Sequence, residues 1–327
     1  MVKFDTVKYS DILHAKKVIS SNVIETPLIY DFMLSKKYKA NIYFKLENIQ
    51  RTGSFKIRGA LNNILNSKSK ISKNGVLAWS SGNHAQGVAE AASIFSIKST
   101  IIMPKDAPQV KILGTRSRGS KIIFYDRNNQ NREEIGYEIA KKEQLKIIPP
   151  YDHKLTIAGQ GTVGLEIVKQ MKAFKLIPDN ILVPTGGGGL ISGSAIAIKE
   201  NFKDCNIFSV EPKKFDDYAR SLKLNKIVKN KSNNKSICDS LLSNKPGMIT
   251  FNINKFLIKK GVSVNEKQVL EAIRYAYNNL GIVVEPGGAV GLAAILNKKI
   301  DLKNSTTVAV LSGSNIDPKI FKKSLTL

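Results

Sequence analysis

Apolar positions change period repeatedly along the chain, from helical spacing to short continuous runs, and this predicts a succession of strand–loop–helix units. Ile12, Leu13, Ala15, Val18 and Ile19 form one side of a first helix, which Tyr9-Ser10-Asp11 can cap and which Thr26-Pro27 closes off. Ile42-Tyr43-Phe44-Lys45-Leu46 is rich in β-formers and reads as a strand. A polar turn from Glu47 onward leads into a helix expected from about Phe55 to Leu65. Gly75-Val76-Leu77-Ala78-Trp79 reads as a buried strand, followed by Ser80-Ser81-Gly82-Asn83-His84 and an Ala-rich helix through Ala92. Further strands are expected at Ser99-Thr100-Ile101-Ile102-Met103, which ends at Pro104, and at Lys121-Ile122-Ile123-Phe124-Tyr125. A charged helix should then run from about Arg132 to Lys142. Asn180-Ile181-Leu182-Val183 precedes the glycines Gly186 to Gly189 and another helix. Asn206-Ile207-Phe208-Ser209-Val210 and Thr306-Thr307-Val308-Ala309-Val310-Leu311 complete the set of apolar strands. Such alternation implies an α/β protein with mostly parallel sheet covered on both faces. Without repeats or a long linker, any two domains should be folded together.

The chain's 327 residues suffice for one large domain or two ordinary ones. The N-terminal Met-Val-Lys-Phe-Asp-Thr has no apolar core of the signal-peptide kind. No run approaches the roughly 20 apolar residues that span a bilayer. With only Cys205 and Cys238 as cysteines, a reducing, cytoplasmic setting is expected, with no membrane partner. The formal net charge of +25 raises the question of nucleic acid. The excess is mostly lysine, spread from end to end, in runs that stop at two, with no aromatic-basic array. A coding bias toward Lys, Asn and Ile explains it better than a nucleic-acid partner, and the field would also steer an anionic substrate.

Candidate chemistry starts at the glycines. Gly186 to Gly189 lie between a strand and a helix, so their N–H groups and the helix dipole can cradle a phosphate. Gly159-Gln160-Gly161-Thr162-Val163-Gly164 matches dinucleotide-loop spacing but follows no clean strand. Asp179 lies before the next strand rather than at a strand's end. A structural turn at a helix start is the expectation there. Lys56 opens a helix among small and apolar residues, where a cation gains nothing from the dipole and desolvation makes it a usable amine nucleophile. The loop Ser80-Ser81-Gly82-Asn83-His84 offers amides and hydroxyls suited to a carboxylate, or else simply caps its helix. Leu311-Ser312-Gly313-Ser314-Asn315 ends the last strand. His14, His84 and His153 are the only histidines, too few for a multi-histidine metal site, and no Ser-His-Asp motif is present.

Taken together these motifs resemble the fold-type II pyridoxal-phosphate (PLP) enzymes, in the threonine/serine dehydratase and serine racemase branch, over nearly the full length. The resemblance rests on Lys45-Leu46-Glu47-Asn48 with Ser54-Phe55-Lys56-Ile57-Arg58-Gly59-Ala60, then Ser80-Ser81-Gly82-Asn83-His84-Ala85-Gln86-Gly87. It continues through Ile157-Ala158-Gly159-Gln160-Gly161-Thr162, the glycine run, and Glu285-Pro286-Gly287-Gly288-Ala289 with Leu311-Ser312-Gly313. It implies a tryptophan-synthase-β-like fold of two α/β domains, 1–68 with 152–327 as the large PLP domain and 69–151 as a small mobile one. It also implies a homodimer. Lys56 would hold PLP as a Schiff base beside Phe55, Gly186, Gly187, Gly188 and Gly189 would take its phosphate, Asn83 its 3′ oxygen and Ser312 its ring nitrogen. A hydroxyl at that nitrogen suits β-elimination more than transamination.

Ser80, Ser81, Gly82, Asn83 and His84 would receive the substrate carboxylate, with Arg132 and Asp239 as further substrate contacts. Lys56 would be the Cα base, and Ser81 the opposite-face acid that racemisation needs. The implied reaction is ammonia-lyase β-elimination of a hydroxy amino acid such as L-threonine or L-serine to a 2-oxo acid and ammonia. The alternatives are serine racemisation, or dehydration of 3-hydroxyaspartate or of a product of hydroxyectoine breakdown. By the same resemblance Glu211, the carbonyl of Phe215 and Asp217 would hold Mg²⁺ or Ca²⁺. Two departures matter: Ile237-Cys238-Asp239-Ser240-Leu241 stands where many dehydratases read Ala-Asp-Gly, and the end at Leu327 implies a short, catabolic-type form without a regulatory domain.

Overall fold

A computed structural model describes residues 7–71, 73–107, 109–127, 129–231 and 234–327. The N-terminal hexapeptide considered above for a signal sequence lies outside them. In chain order the strands are β1 (Leu28–Tyr30), β2 (Asn41–Leu46), β3 (Val76–Trp79), β4 (Ser99–Pro104), β5 (Lys121–Tyr125), β6 (Lys146–Ile147), β7 (Asn180–Pro184), β8 (Asn206–Pro212), β9 (Lys260–Val264) and β10 (Thr306–Leu311). They form a six-stranded sheet, β1-β2-β10-β7-β8-β9, and a four-stranded sheet, β5-β4-β3-β6. Every pairing is parallel except that of β1 with β2.

Successive side chains of a strand point to opposite faces, and in the large sheet both faces are apolar. Phe44, Leu182, Phe208 and Ala309 pack under the helices Glu266–Leu280 and Pro286–Leu296. Their neighbours Tyr43, Ile181, Ile207 and Val308 pack against the helices Lys154–Ala173 and Gly189–Asn201. The small sheet is covered in the same way. Val76, Ala78 and Ile101 meet the helices Lys56–Ser67 and Asn83–Ile94, while Leu77, Trp79 and Ile102 face the helix Arg132–Lys142. Among the described residues no helix is long and apolar enough to cross a membrane.

Two expectations are corrected. The first helix, Tyr9–Ile19, is capped by Lys8, and Asp11 lies inside it, accepting from the Lys8 N–H at 2.8 Å. Gly159, Gly161 and Gly164 form no turn at a helix start; they lie inside the helix Lys154–Ala173. Their lack of side chains lets helices touch. A Cβ at Gly161 would come 2.9 Å from Gly193, and one at Gly159 would strike the Arg58 carbonyl.

A closed set of buried charges ties the helix of Lys56 to the large sheet. Arg58 donates to Glu47 at 2.7 and 2.8 Å and to Glu166 at 2.6 and 2.9 Å, while Lys45 reaches Glu166 at 2.7 Å. Two cations meet two carboxylates with almost no solvent access. Every charge is paired and hydrogen-bonded, the condition under which such burial is tolerated. The carboxylates push Arg58 above its ordinary range, and Arg58 holds Glu47 below its own.

Candidate active site

The carboxyl ends of parallel strands gather loops with free amides, the common place for a ligand in an α/β protein. Here the segments after β2, β3, β7 and β10 converge on one cavity of about 230 Å³. It is lined by Phe55, Lys56, Ser80, Ser81, Gly82, Asn83, His84, Arg132, Gly186, Gly187, Gly188, Gly189, Asp239 and Ser312. The structure therefore brings together every residue expected to touch cofactor or substrate. Glu211, Phe215 and Asp217 do not line it; they lie at the end of β8 and just after it, in a separate buried cluster.

Lys56 is the first residue of its helix, and its ammonium donates to the Pro150 carbonyl at 2.7 Å, with the Phe55 ring centroid 5.2 Å away. Burial is the main influence on this amine and lowers it to about 8, against the opposing field of Glu285. Such an amine is neutral often enough near neutral pH to attack an aldehyde carbon.

The glycine run is built as a cradle. Gly188 caps the helix Gly189–Asn201 with φ at +96°, a left-handed conformation that suits glycine. A Cβ there would lie 2.5 Å from the Tyr218 hydroxyl, and one at Gly187 would overlap the Tyr151 ring. Among the described residues, the amides of Gly186, Gly187 and Gly188 have no acceptor. Amides aimed at the start of a helix suit a phosphate.

On the facing wall, Gly82, rather than a serine, caps the helix Asn83–Ile94, and Ser80 Oγ accepts from the Gly82 N–H at 3.1 Å. His84 Nε2 donates to the Ile148 carbonyl at 2.7 Å, which leaves Nδ1 buried without a partner. Burial first, and Lys56 second, lower this imidazole to about 3, so it is neutral. Asn83 donates to Glu285 at 2.5 Å and accepts from Asn315 at 2.7 Å. Asp239 is paired with Lys111. The Ser312 hydroxyl has no partner among the described residues.

Glu285, Lys111, Tyr151 and Gln160 were not singled out in the sequence. Glu285 had a usable signal, since it opens the quoted Glu285-Pro286-Gly287-Gly288 motif. It is fully buried, and burial pushes it up to about 7 against the field of Lys111. Gln160 Oε1 and His84 Nδ1 are buried without partners around the cavity, as expected of groups facing a polar ligand. A poised amine, a phosphate cradle and unpaired polar atoms together fit a phosphorylated aldehyde cofactor.

Comparison with known proteins agrees with this class. The family model described as pyridoxal-phosphate dependent enzyme matches residues 19–313, and the chain belongs to that family. It is 38% identical to L-threo-3-hydroxyaspartate ammonia-lyase of Saccharomyces cerevisiae, over 95% of this chain and 94% of that one. It is also 38% identical to L-threonine ammonia-lyase of Thermotoga maritima, over 95% of this chain and 76% of that one. Among solved structures, maize serine racemase superposes with a TM-score of 0.91 at 33% identity, covering 98% of this chain and 97% of that one. The architecture is accordingly that of fold-type II PLP enzymes, and the cofactor is PLP.

Proposed function

We propose that the protein is an ammonia-lyase that removes water and then ammonia from a 3-hydroxy amino acid of the L-threonine or L-serine kind. The observation that carries this reading is the buried Lys56 amine, which shares one cavity with a phosphate cradle and an amide-and-hydroxyl loop. Gly186 to Gly189 hold the cofactor phosphate, Asn83 its 3′ oxygen, Ser312 its ring nitrogen and Phe55 its side. Bound PLP supplies the electron sink for cleavage at Cα. Lys56 takes the Cα proton, and the Ser80–His84 loop fixes the substrate carboxylate so that the Cα–H bond faces that amine. Loss of the β-hydroxyl gives an enamine that water converts to a 2-oxo acid and ammonia.

Incubation with L-serine and L-threonine should release pyruvate and 2-oxobutyrate with equimolar ammonia. Lys56→Ala should lose both activity and the cofactor trapped by borohydride reduction. D-serine in excess over pyruvate would overturn this assignment in favour of a racemase, with Ser81 as the second acid.

A second reading has its own support. Arg127 and Arg132 line the cavity, and a substrate with a β-carboxylate, such as 3-hydroxyaspartate, would meet both. Higher kcat/KM on L-threo-3-hydroxyaspartate than on L-serine selects it.

For the divalent cation, Mg²⁺ or Ca²⁺, we place Glu211, the carbonyl of Phe215 and Asp217 as ligands. Among the described residues no cluster of three metal-ligating side chains occurs, and this set has two. Its support is chemical. Burial and the charge of Asp217 push Glu211 well above the carboxylate range, and burial pushes Asp217 up to about 7. Asp217 Oδ2 is buried without a partner, and a hard cation would relieve both carboxylates. A cytoplasmic homodimer, with residues 69–151 as the small mobile domain, completes the reading. Exposed Phe32, Met33 and Tyr30 offer apolar surface for a second copy, and sedimentation would test it.

A further inference from the structure

An amino acid brings a carboxylate into a cavity that Asp239 and Glu285 already face. Adding a further negative charge to a partly dry site costs heavily unless a cation meets it. The Ser80–His84 loop supplies amides and hydroxyls, and its imidazole is neutral, with Nε2–H committed to the Ile148 carbonyl. Lys56 is the cofactor's. Arg127 is half exposed and pairs with Asp106 at 2.8 Å, and Arg132 is exposed at the mouth.

Lys111 remains. It lies in the helix Gln109–Arg116, behind the residues that line the cavity. Its side chain is only 3% exposed, and its ammonium pairs with Asp239. That ammonium also lies against the carboxylate loop, 3.7 Å from where a Cβ at Gly82 would be. A buried cation thus borders the loop, held there by an anion at the start of the short helix Asp239–Leu241.

We infer that Lys111 is the counter-cation of the substrate's α-carboxylate, held at the Ser80–His84 loop by Asp239. The inference rests on the reading of the site as an amino-acid lyase. It assigns the charge part of carboxylate recognition to a residue outside the loop, with the loop supplying direction. A charge-assisted contact of this kind is worth about tenfold to a hundredfold in affinity.

The holoenzyme is titrated with L-serine and with ethanolamine, which has the amine and hydroxyl of serine but no carboxylate, and cofactor fluorescence reports binding. Lys111→Gln should weaken L-serine by about tenfold or more and raise its KM with a smaller change in kcat, while ethanolamine binds as in the wild type. Lys111→Arg, which keeps the charge on a bulkier head, should restore part of the serine affinity. Should the glutamine variant fail to fold, the arginine variant carries the test, weakening serine and sparing ethanolamine. Equal losses for both ligands would show a merely structural tie and overturn the proposal, as would no loss for either. A wild type that responds to ethanolamine but to no amino acid would overturn the lyase reading, and this inference with it.

Discussion

At Gly188 the chain turns through φ +96° beside the Tyr218 hydroxyl, so a single methyl meets both backbone strain and a steric block. Gly188→Ala should cost about 1–3 kcal/mol of stability, visible as a lower urea midpoint. It should also weaken PLP binding, because the amides flanking residue 188 must move. A second outcome at this scale concerns the Lys56 amine. Only a neutral amine attacks the aldehyde, so uptake of PLP by cofactor-free protein should accelerate about tenfold per pH unit below the amine's value. With that value lowered to about 8 from 10.5, the rate should level off above pH 8. A rate still climbing at pH 9.5 would show that burial does not tune this lysine. The residues that sequence alone could reach are those in short, unusual strings: Lys56, the Ser80–His84 loop, Gly186 to Gly189 and Ser312. Lys111 carried no such signal, because its role comes from Asp239, 128 positions away in the chain.

At the level of elements, the closed set of Lys45, Glu47, Arg58 and Glu166 decides how firmly the helix of Lys56 sits. Arg58→Met leaves two buried carboxylates short of a cation, so the loss should be about 3–5 kcal/mol in denaturant unfolding. Replacing Lys45, Glu47, Arg58 and Glu166 together with apolar residues should cost less than that single change, since no orphaned charge remains. Legibility divided along similar lines. The strands β2, β4, β5 and β10 and the helix Arg132–Lys142 were visible because their apolar or charged runs are long and bounded by turn residues. The strands β1, with three residues, and β6, with two, are too short for a period to register. The strand β9 reads Lys-Gly-Val-Ser-Val, weak β chemistry rescued by pairing with β8. Gly159, Gly161 and Gly164 misled in the opposite sense, since a glycine that admits a neighbouring helix looks in sequence like one that makes a turn.

Across the whole molecule, the cluster at the end of β8 links stability to the medium. If Glu211, Phe215 and Asp217 bind a divalent cation, Mg²⁺ or Ca²⁺ at a hundredfold excess over Kd should stabilise the fold by about 2.7 kcal/mol. Chelation should lower Tm, and Asp217→Asn should abolish the response to added metal. An unchanged Tm in both treatments would leave Glu211 and Asp217 as a structural pair.

The order of strands has a further consequence, for synthesis on the ribosome. The four strands of the small sheet lie together in the chain, between residues 76 and 147, and emerge early. The large sheet places β10, residues 306–311, between β2 and β7. Until the final stretch leaves the exit tunnel, β2 and β7 each present an unpaired apolar edge, the kind of surface that nascent chains must keep from one another. The late-arriving strand also carries Ser312 at its end. The sheet and the cavity are therefore completed by the same last segment, and a stalled chain would lack both.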